Sequence, residues 1–471
     1  MNTRTVGQNG AKSLKEWGAI GRSRFALAGS SALSLVLMTT SAQATDIVIV
    51  DGQTVGQQVL GDGDRLVVNS GGTVTEASDG VRAGLSDRIT IVNGGKITST
   101  GEDGIDVGTA TLTLENTGAI LGKTYGIKAD ELANLTNSGT ITGTDHSGIN
   151  ANIITNLTNS GTISGRLDGI KATTITKLTN TGTIKANSDN AIDATTITNL
   201  NNSGTISSDY DAVTATTITN LTNTGTITAT VGAGVWAITI TNLSNSGTIS
   251  GKDRAISAAT ITSLTNSGTI SGAAGIRAKF GLEYLKNLAG GVIESTQTSA
   301  GTAGVRMGFG KIDNAGIISG FVGIQAKTAG DTTITNSGLI ASNQGATGVA
   351  IELAGTGVDT INLNAGSVLT GTLNWVDGSD DTLNMGAGLN AIVYLSGNEP
   401  ITTNFASPLN ASTSTYRAQA DFSSAAAMGT MLDDVAGGIG GVVRTRMDAA
   451  RLLIEQRAAG SSVKKTVWAS G

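Results

Sequence analysis

Apolar and polar residues follow one another along most of this chain in short runs that return at a fixed interval. The stretch ITNLTNSGTISG at 154–165 comes back as ITNLSNSGTISG near 240 and as ITSLTNSGTISG near 261. In each copy, two polar residues separate the first Ile from the Leu, and the five residues Thr/Ser-Asn-Ser-Gly-Thr separate that Leu from the next Ile. Because this pattern is built from short segments and is rich in β-branched residues, it predicts short β-strands and gives no sign of a 3.6-residue period.

The interval between copies is 21 or 22 residues, measured between the glycines of successive Asn-Ser-Gly or Asn-Thr-Gly triplets. These glycines are Gly118, Gly139, Gly161, Gly182, Gly204, Gly225, Gly247 and Gly268. A second sequence, Gly-Ile-x-Ala, keeps the same period and is seen at 169–172. We therefore expect each repeat to hold three short β segments, with turns of Gly, Asn, Ser and Asp between them.

A repeat of this kind predicts an all-β fold, a right-handed parallel β-helix with one coil of about 21–22 residues per repeat. At ~4.8 Å per coil, residues 45–400 would form about 15 or 16 coils and a rod on the order of 75 Å long. Leucine-rich repeats share the period and an Asn, but they need more leucines and a helical half. A left-handed β-helix advances in six-residue steps, which do not produce this spacing.

One Asn of each repeat has the same parity as the residues predicted to point inward. Buried amides that recur once per coil hydrogen-bond their own copies above and below, so we predict a structural Asn ladder. A ligand-binding row of amides is the alternative. The predicted ladder consists of Asn137, Asn159, Asn180, Asn202, Asn223, Asn245 and Asn266.

Both ends of the chain differ from the repeats. Residues 1–44 combine a basic leader, an apolar run and the small-x-small site Ala42-Gln43-Ala44, which predicts a signal peptide cleaved after Ala44. Residues 401–422 are rich in Ser, Thr and Asn and are predicted to be a linker. Residues 423–460 carry a helical pattern, and residues 461–471 are predicted to begin a further strand.

Composition narrows the classes of function. The net charge is −6, so the chain lacks the basic surplus typical of nucleic-acid binding, and we expect no nucleic-acid partner. There is no Cys, which removes thiol nucleophiles and cysteine metal sites from consideration. Aromatic residues make up only 3% of the chain, which argues against a core anchored by large aromatic side chains.

The order signal peptide, Gly/Asn/Thr-rich β-helix, linker, helix and Trp-bearing strand resembles a bacterial autotransporter of the type V secretion class. The resemblance rests on the Asn-Ser-Gly-Thr-Ile repeats at 116–270 and on the helix that leads into Val467-Trp468. It implies a β-helical passenger that is exported through the periplasm and displayed on, or released from, the outer membrane. In that family, the helix threads a C-terminal outer-membrane β-barrel.

The chain departs from that family at its C-terminal end. A translocator barrel needs at least about eight strands of ~9–11 residues, and only the eleven residues 461–471 follow Gly460. The barrel is therefore absent from this sequence. We expect the chain to be either a fragment of a longer product or the product of a truncated gene.

Candidate chemistry is sparse. His146 lies in Thr-Asp-His-Ser-Gly, where an exposed turn residue is the expectation rather than a catalytic base, since triads form from distant positions. Gly/Asp stretches near 357 and 378 are interpreted as Asx turns rather than calcium-binding repeats. We predict no catalytic residue, cofactor or metal site. A row of turn carboxylates is predicted to form a solvated acidic edge, with catalysis or weak calcium binding as alternatives; it comprises Asp103, Asp145, Asp168, Asp189, Asp211 and Asp253.

The sequence thus favours a surface-exposed or secreted structural protein that acts in adhesion or self-association. Its partners would be a surface glycan, a host surface or a second copy of itself. The predicted contact surface is the Thr- and Ser-rich outer faces, through repeated weak contacts; it includes Thr174, Thr176, Thr217 and Thr219. The alternative is a β-helical polysaccharide lyase or hydrolase, which would need a cleft and a singular cluster of catalytic residues.

Overall fold

The chain winds into one long parallel β-solenoid of about 16 turns with almost no helix, in a computed structural model. The structure describes residues 2–5, 44–84, 88–376, 380–397, 402–407 and 409–421. The predicted all-β solenoid is confirmed, while its right-handed winding stays a prediction. The predicted helix at 423–460, the strand at 461–471 and Ala42 of the cleavage site lie outside the described residues. Ala44 is exposed and directly precedes a strand.

The first coils are built from short strands. These are β1 (Asn2–Thr5), β2 (Thr45–Ile49), β3 (Thr54–Val55), β4 (Gln58–Leu60), β5 (Arg65–Val68), β6 (Thr73–Glu76), β7 (Val81–Ala83), β8 (Arg88–Asn93), β9 (Lys96–Ser99), β10 (Ile105–Asp106), β11 (Thr111–Asn116) and β12 (Ala119–Gly122). β1 pairs in parallel with β2. If the chain is cleaved after Ala44 as predicted, β1 leaves with the leader and uncovers the edge of β2.

In the central coils, a long strand alternates with a short one as far as β23 (Ala233–Asn245), and the two strands after it, of 19 residues each, run through a whole coil. The strands are β13 (Ile127–Asn137), β14 (Thr140–Gly143), β15 (Ile149–Asn159), β16 (Thr162–Gly165), β17 (Ile170–Asn180), β18 (Thr183–Ala186), β19 (Ile192–Asn202), β20 (Thr205–Ser208), β21 (Val213–Asn223), β22 (Thr226–Ala229), β23 (Ala233–Asn245), β24 (Thr248–Asn266) and β25 (Thr269–Asn287). We call the short strand the first face, and the two halves of the long strand the second and third faces.

The last coils return to short strands, with one 3-10 turn at Gly345–Thr347. The strands are β26 (Val292–Ser295), β27 (Ala303–Met307), β28 (Gly310–Asn314), β29 (Ile317–Gly320), β30 (Val322–Ala326), β31 (Thr332–Asn336), β32 (Leu339–Ser342), β33 (Val349–Leu353), β34 (Thr360–Leu363), β35 (Val368–Thr370), β36 (Thr372–Trp375), β37 (Thr382–Met385), β38 (Ala391–Gly397), β39 (Thr402–Phe405), β40 (Leu409–Ser412) and β41 (Tyr416–Ala420).

The long central strands correct one expectation. The sequence predicts three segments with turn residues between each pair, but the second and third faces run on as a single eleven-residue strand such as β15. The bend between them follows a small residue, Ala151 or Ala172, and the register between β15 and β17 simply skips one position there. Because inter-coil hydrogen bonding continues on both sides of this bend, no Gly or Asn turn is needed.

The core is a set of stacked apolar rows that the register keeps aligned. On the first face, Ile163 lies between Ile141 and Ile184 in the neighbouring coils, and all three are fully buried. On the third face, Leu157 and Leu178 stack in the same way. Each inward side chain therefore packs against copies of itself, and side-chain alternation sends the intervening Thr and Ser outward.

The glycine after each Asn-Ser or Asn-Thr pair is required by close stacking and not by a left-handed turn. Gly161, Gly182 and their equivalents are absent from the glycines with positive φ. A Cβ on Gly161 would instead collide with the backbone carbonyl oxygen of Gly139 in the coil before it. The corner of one coil thus sits directly on the corner of the next, which leaves no room for a methyl group.

The C-terminal end also differs from expectation. The sequence predicts a linker over 401–422, but β39 adds in parallel to β37 as part of the solenoid. β41 then pairs antiparallel with both β38 and β40. Buried Gln419 accepts hydrogen bonds from the backbone N–H groups of Ala406 and Ser407. Polar side chains can end a solenoid because they bond backbone groups that the next coil would otherwise have bonded.

Candidate functional site

The predicted Asn residues lie in one continuous buried ladder. From Asn93 to Asn314, each Nδ2 donates to the Oδ1 of its counterpart in the next coil at 2.7–2.9 Å, and Asn336 accepts the last of these bonds. All seven predicted members belong to it and are at most 2% exposed. Sequence reasoning missed five further members, which flank the most regular repeats: Asn93, Asn116, Asn287, Asn314 and Asn336.

The ladder fixes the corner between the third and first faces and offers nothing to a ligand. Besides the next Asn, the Nδ2 of Asn159 donates to the carbonyl oxygens of Gly161 and Thr183. The ladder stops where the register brings an apolar residue into the same position, Val68 before Asn93 and Leu363 after Asn336. At the first end, the Oδ1 of Asn93 is buried without a hydrogen-bond partner.

The predicted row of turn carboxylates is only partly correct. Asp103, Asp168 and Asp211 each stand directly before the Gly or Ala that opens the second face, whereas the other three predicted residues occupy different turn positions. Asp79 also stands directly before such a residue, Gly80, and sequence reasoning missed it. Asp103 and Asp168 are 6% and 2% exposed, so they do not belong to a solvated edge.

These buried carboxylates replace missing backbone hydrogen bonds between coils at the corner between the first and second faces. Asp79 Oδ1 accepts a hydrogen bond from the backbone N–H of Asp103 at 3.1 Å. Asp103 Oδ1 in turn accepts from the N–H of Tyr125 at 3.0 Å. A carboxylate here therefore satisfies a backbone donor that would otherwise be buried and unpaired, which gives the residue a structural role.

Asp79, Asp103 and Asp106 form a compact acidic cluster, with one carboxylate oxygen of each within 4.8 Å of the others. Burial raises the pKa of Asp103 to about 6. Lys128 Nζ lies 3.0 Å from Asp106 Oδ2, and this hydrogen bond raises the pKa of Lys128. Arg82 pairs with Asp79 at 3.2 Å. Carboxylate oxygens suit a hard cation, but two protein cations already offset two of the three negative charges, which weakens the attraction of this cluster for a metal ion.

A second charged cluster lies three coils further on. Lys171 Nζ is 2.9 Å from Asp193 Oδ2 and 3.6 Å from Asp168 Oδ2. Ser147 Oγ donates to Asp168 Oδ2 at 3.2 Å, and Asp168 Oδ1 is buried without a hydrogen-bond partner. Burial raises the pKa of Asp168. Each cluster places one lysine between two carboxylates. Lys128 contacts Asp103 and Asp106 of the coil before it, whereas Lys171 contacts Asp168 of its own coil and Asp193 of the next.

The side chains of His146 and of its two sequence neighbours each contact a different residue. Asp145 pairs with Lys123 at 3.1 Å, and Ser147 bonds Asp168 as described above. The His146 ring lies 5.4 Å from the Tyr125 ring. The Asp-His-Ser sequence therefore forms no proton relay, because neighbouring side chains along a strand or turn point in different directions.

The most varied row is formed by the x residue of each Ile-x-Ala sequence and of its counterparts in other coils, where Val replaces Ile or where Val, Met or Leu replaces Ala. We call it the Ile-x-Ala row. The register places its members one above another along the second face. They are Arg82, Asp106, Lys128, Asn150, Lys171, Asp193, Thr214, Trp236, Ser257, Arg277, Arg306, Gln325 and Glu352. Sequence reasoning missed this row, and the available signal was that x changes in repeats whose other positions stay constant.

A groove of about 440 Å³ runs beside the middle of the Ile-x-Ala row. The small alanines at the bend of each long strand form its floor, and Thr173, Thr195 and Thr216 line its far side. Asn150, Lys171, Asp193 and Thr214 line the near side, and Trp236 stands at one end with 38% of its surface exposed. Hydroxyl, amide and charged groups beside an accessible indole are suited to a polar ligand with flat faces.

Comparison with known proteins gives no match: no family model matches the sequence, and no curated protein or solved structure matches the chain. In the part of the chain that the structure describes, no helix has the length and hydropathy needed to span a bilayer.

Proposed function

We propose that this chain is an exported, surface-displayed solenoid that acts by binding, in adhesion or self-association, as an autotransporter passenger does. The observation that carries the proposal is the repetition of its outer surface. On the first face, seven threonines lie in register in successive coils; they are Thr140, Thr162, Thr183, Thr205, Thr226, Thr248 and Thr269. Repeated weak contacts of this kind add up when two elongated surfaces meet.

The third face supplies the surface expected to make those contacts. Thr174, Thr196, Thr217, Thr239 and Thr260 are aligned there, and Thr176 is exposed beside them. Coils that contact only their neighbours can fold one at a time as the chain emerges from a membrane, and the absence of cysteine prevents disulfides from blocking that passage. Both features support the export route.

The test is to express the full chain with its own N-terminus in a Gram-negative host. Sequencing the mature N-terminus should find cleavage after Ala44, and intact protein in the cytoplasm would sink the export proposal. Self-association of the purified chain is then measured by sedimentation velocity. Thr174→Glu/Thr217→Glu should weaken it at least tenfold through like-charge repulsion, whereas the matched pair Thr181→Glu/Thr224→Glu, exposed at the corner between the third and first faces and outside both threonine rows, should not.

Polysaccharide cleavage is the second candidate, favoured by one observation. Burial brings the pKa of Asp103 to about 6, a value suited to a general acid, and Asp106 lies beside it. Asp103 Oδ1 is already engaged by the Tyr125 N–H, and the side chain is almost fully buried, which favours the structural role. Release of reducing ends from acidic or neutral polysaccharides, lost in Asp103→Asn, would establish catalysis instead.

A further inference from the structure

Arg277 and Arg306 are direct neighbours in the Ile-x-Ala row, one coil apart. Elsewhere in this row, neighbouring charges alternate in sign: Lys128 pairs with Asp106, and Lys171 pairs with Asp193. Like charges placed opposite each other on adjacent strands destabilise a sheet. The arginine pair therefore breaks a pattern that the same row keeps in its other coils, and it does so at a cost in stability.

Arg254 joins this pair around a pocket of about 190 Å³, which is also lined by Asp253, Thr302 and Ala303. Arg254 pairs with Asp253 at 2.7 Å. Among the described residues, Arg277 and Arg306 make no ion pair. Burial and the nearby guanidinium groups of Arg254 and Arg306 lower the pKa of Arg277. Three guanidinium groups and one carboxylate leave a surplus of positive charge in a chain whose net charge is negative.

We propose that Arg254, Arg277 and Arg306 bind a carboxylate or sulfate group of an acidic glycan. Guanidinium groups present planar pairs of N–H donors that match the oxygens of these anions, and half-buried arginines lose less affinity to solvent than exposed ones. The anion neutralises the stacked charges and thereby removes their repulsion. The inference rests on the proposed binding function and names the ligand class for it.

The surroundings favour a glycan over a free inorganic anion. Trp236 lies two coils before Arg277 in the same row, a distance of roughly 10 Å along the rod. Its exposed indole offers an apolar face on which a sugar ring can pack, and the groove beside it carries the hydroxyl and amide groups of Thr214 and Asn150. A glycan lying along the row would contact both the indole and the arginines.

Binding is measured by isothermal titration with the purified full chain at fixed ionic strength. The probes are a sulfated oligosaccharide, a polyuronate oligosaccharide, a neutral dextran oligosaccharide and inorganic sulfate. Binding of at least one acidic oligosaccharide, and no measurable binding of dextran, is the expected result. Equal affinity for dextran would overturn the proposal, and so would binding of inorganic sulfate with no affinity for either acidic oligosaccharide.

Variants separate the two parts of the site. Arg277→Gln/Arg306→Gln should weaken acidic-glycan binding more than tenfold, while the control Lys177→Gln on the third face should leave it unchanged. Trp236→Ala should weaken glycan binding about tenfold, the order of magnitude expected for one aromatic stacking contact. Unchanged acidic-glycan affinity in the double arginine variant would refute the site.

A stability readout tests the repulsion argument independently. Arg306→Glu gives Arg277 an opposite-charge neighbour, as Lys171 has in Asp193, so the thermal midpoint should not fall while glycan binding is lost. A lowered midpoint would show that the arginines are structural and would contradict the proposal. Self-association distinguishes the two functions and is measured for the wild-type chain and the double arginine variant. If both chains self-associate but the wild-type chain binds neither acidic oligosaccharide, the glycan site is wrong and the adhesive role stands.

Discussion

The central coils and the end coils form the same corner in two different ways. In the centre, two residues connect the third face to the first, and Thr181 and Gly182 donate their N–H groups to the carbonyl oxygen of Asn159 in the preceding coil. Near the C-terminal end, four residues follow Leu363, Gly366 has a φ of +87°, and Ser367 N–H bonds the carbonyl of Asn364. A central corner is held by its neighbour, whereas an end corner closes on itself.

The inward residue at the corner also differs between the centre and the C-terminal end, although the boundary lies elsewhere. Central coils place a ladder Asn there, and the last coils place Leu363, Met385 and Phe405 in the same register. Asn287 combines a ladder amide with a four-residue corner that contains Gly290 at a φ of +85°. The solenoid therefore tolerates an apolar residue at this position. The amide is needed where closely stacked corners leave backbone carbonyls to be bonded.

The largest expected effect comes from interrupting the ladder. Asn180→Val leaves Asn202 Oδ1 without its donor and takes one acceptor from Asn159 Nδ2, so we expect a loss of about 4 kcal/mol in the free energy of opening of that coil. Native-state hydrogen exchange measures this locally. Val68→Asn is the comparison, because it offers a donor to the unpaired Oδ1 of Asn93 and should cost much less. Equal costs would contradict the ladder's role.

The second-largest expected loss of stability comes from substituting the corner glycines. Gly161→Ala forces a methyl group against the Gly139 carbonyl, so we expect a loss of about 3 kcal/mol. Gly366→Ala adopts an unfavourable positive φ, and its Cβ would lie 3.0 Å from the Ser337 carbonyl oxygen, a much milder contact than the clash at Gly161, so a smaller loss of about 1 kcal/mol is expected. Hydrogen exchange in the two coils compares the losses. A greater loss for Gly366→Ala would mean that backbone conformation, and not stacking, selects glycine in the central corners.

The smallest effect is the pH dependence of the corner between the first and second faces, which we call the second corner. There Asp103, Asp168 and Asp211 occupy the position that Ala303, Val322 and Val349 occupy in later coils. Because burial raises the pKa of Asp103 to about 6, the folded chain holds this proton more tightly than the unfolded chain. The carboxylate therefore costs stability above pH 6, and the cost disappears as the pH falls from 6 towards 4.

Asp103→Asn isolates the contribution of the Asp103 carboxylate to the pH dependence of stability, because the amide oxygen can still accept a hydrogen bond from the Tyr125 N–H. Between pH 7 and pH 5, the thermal midpoint of the wild-type chain should shift upward relative to that of the variant. The exposed Asp209→Asn serves as the matched control and should follow the wild type. A wild-type profile that runs parallel to that of Asp103→Asn would count against the raised pKa.

The sequence by itself determined the coil. The 21- or 22-residue spacing, the alternation of Ile with Thr and the repeated Asn were enough to predict a parallel solenoid and seven ladder residues, because identical repeats can bury their apolar faces only by stacking. The prediction failed at the irregular C-terminal end and at the turns of the repeats, whose residues vary from coil to coil. The expected linker at 401–422 contains strands, and the buried carboxylates of the second corner are not a solvated edge.

Only the tertiary structure decided which variable residues become neighbours. Lys171 and Asp193, or Arg277 and Arg306, are more than twenty residues apart in sequence and meet only because the register is fixed coil by coil. The tertiary structure also explains why the corner glycines are required, since the clash that excludes a methyl group involves a carbonyl in another coil. Local sequence sets the alternation of side chains, but contacts between coils depend on the length of every turn between them.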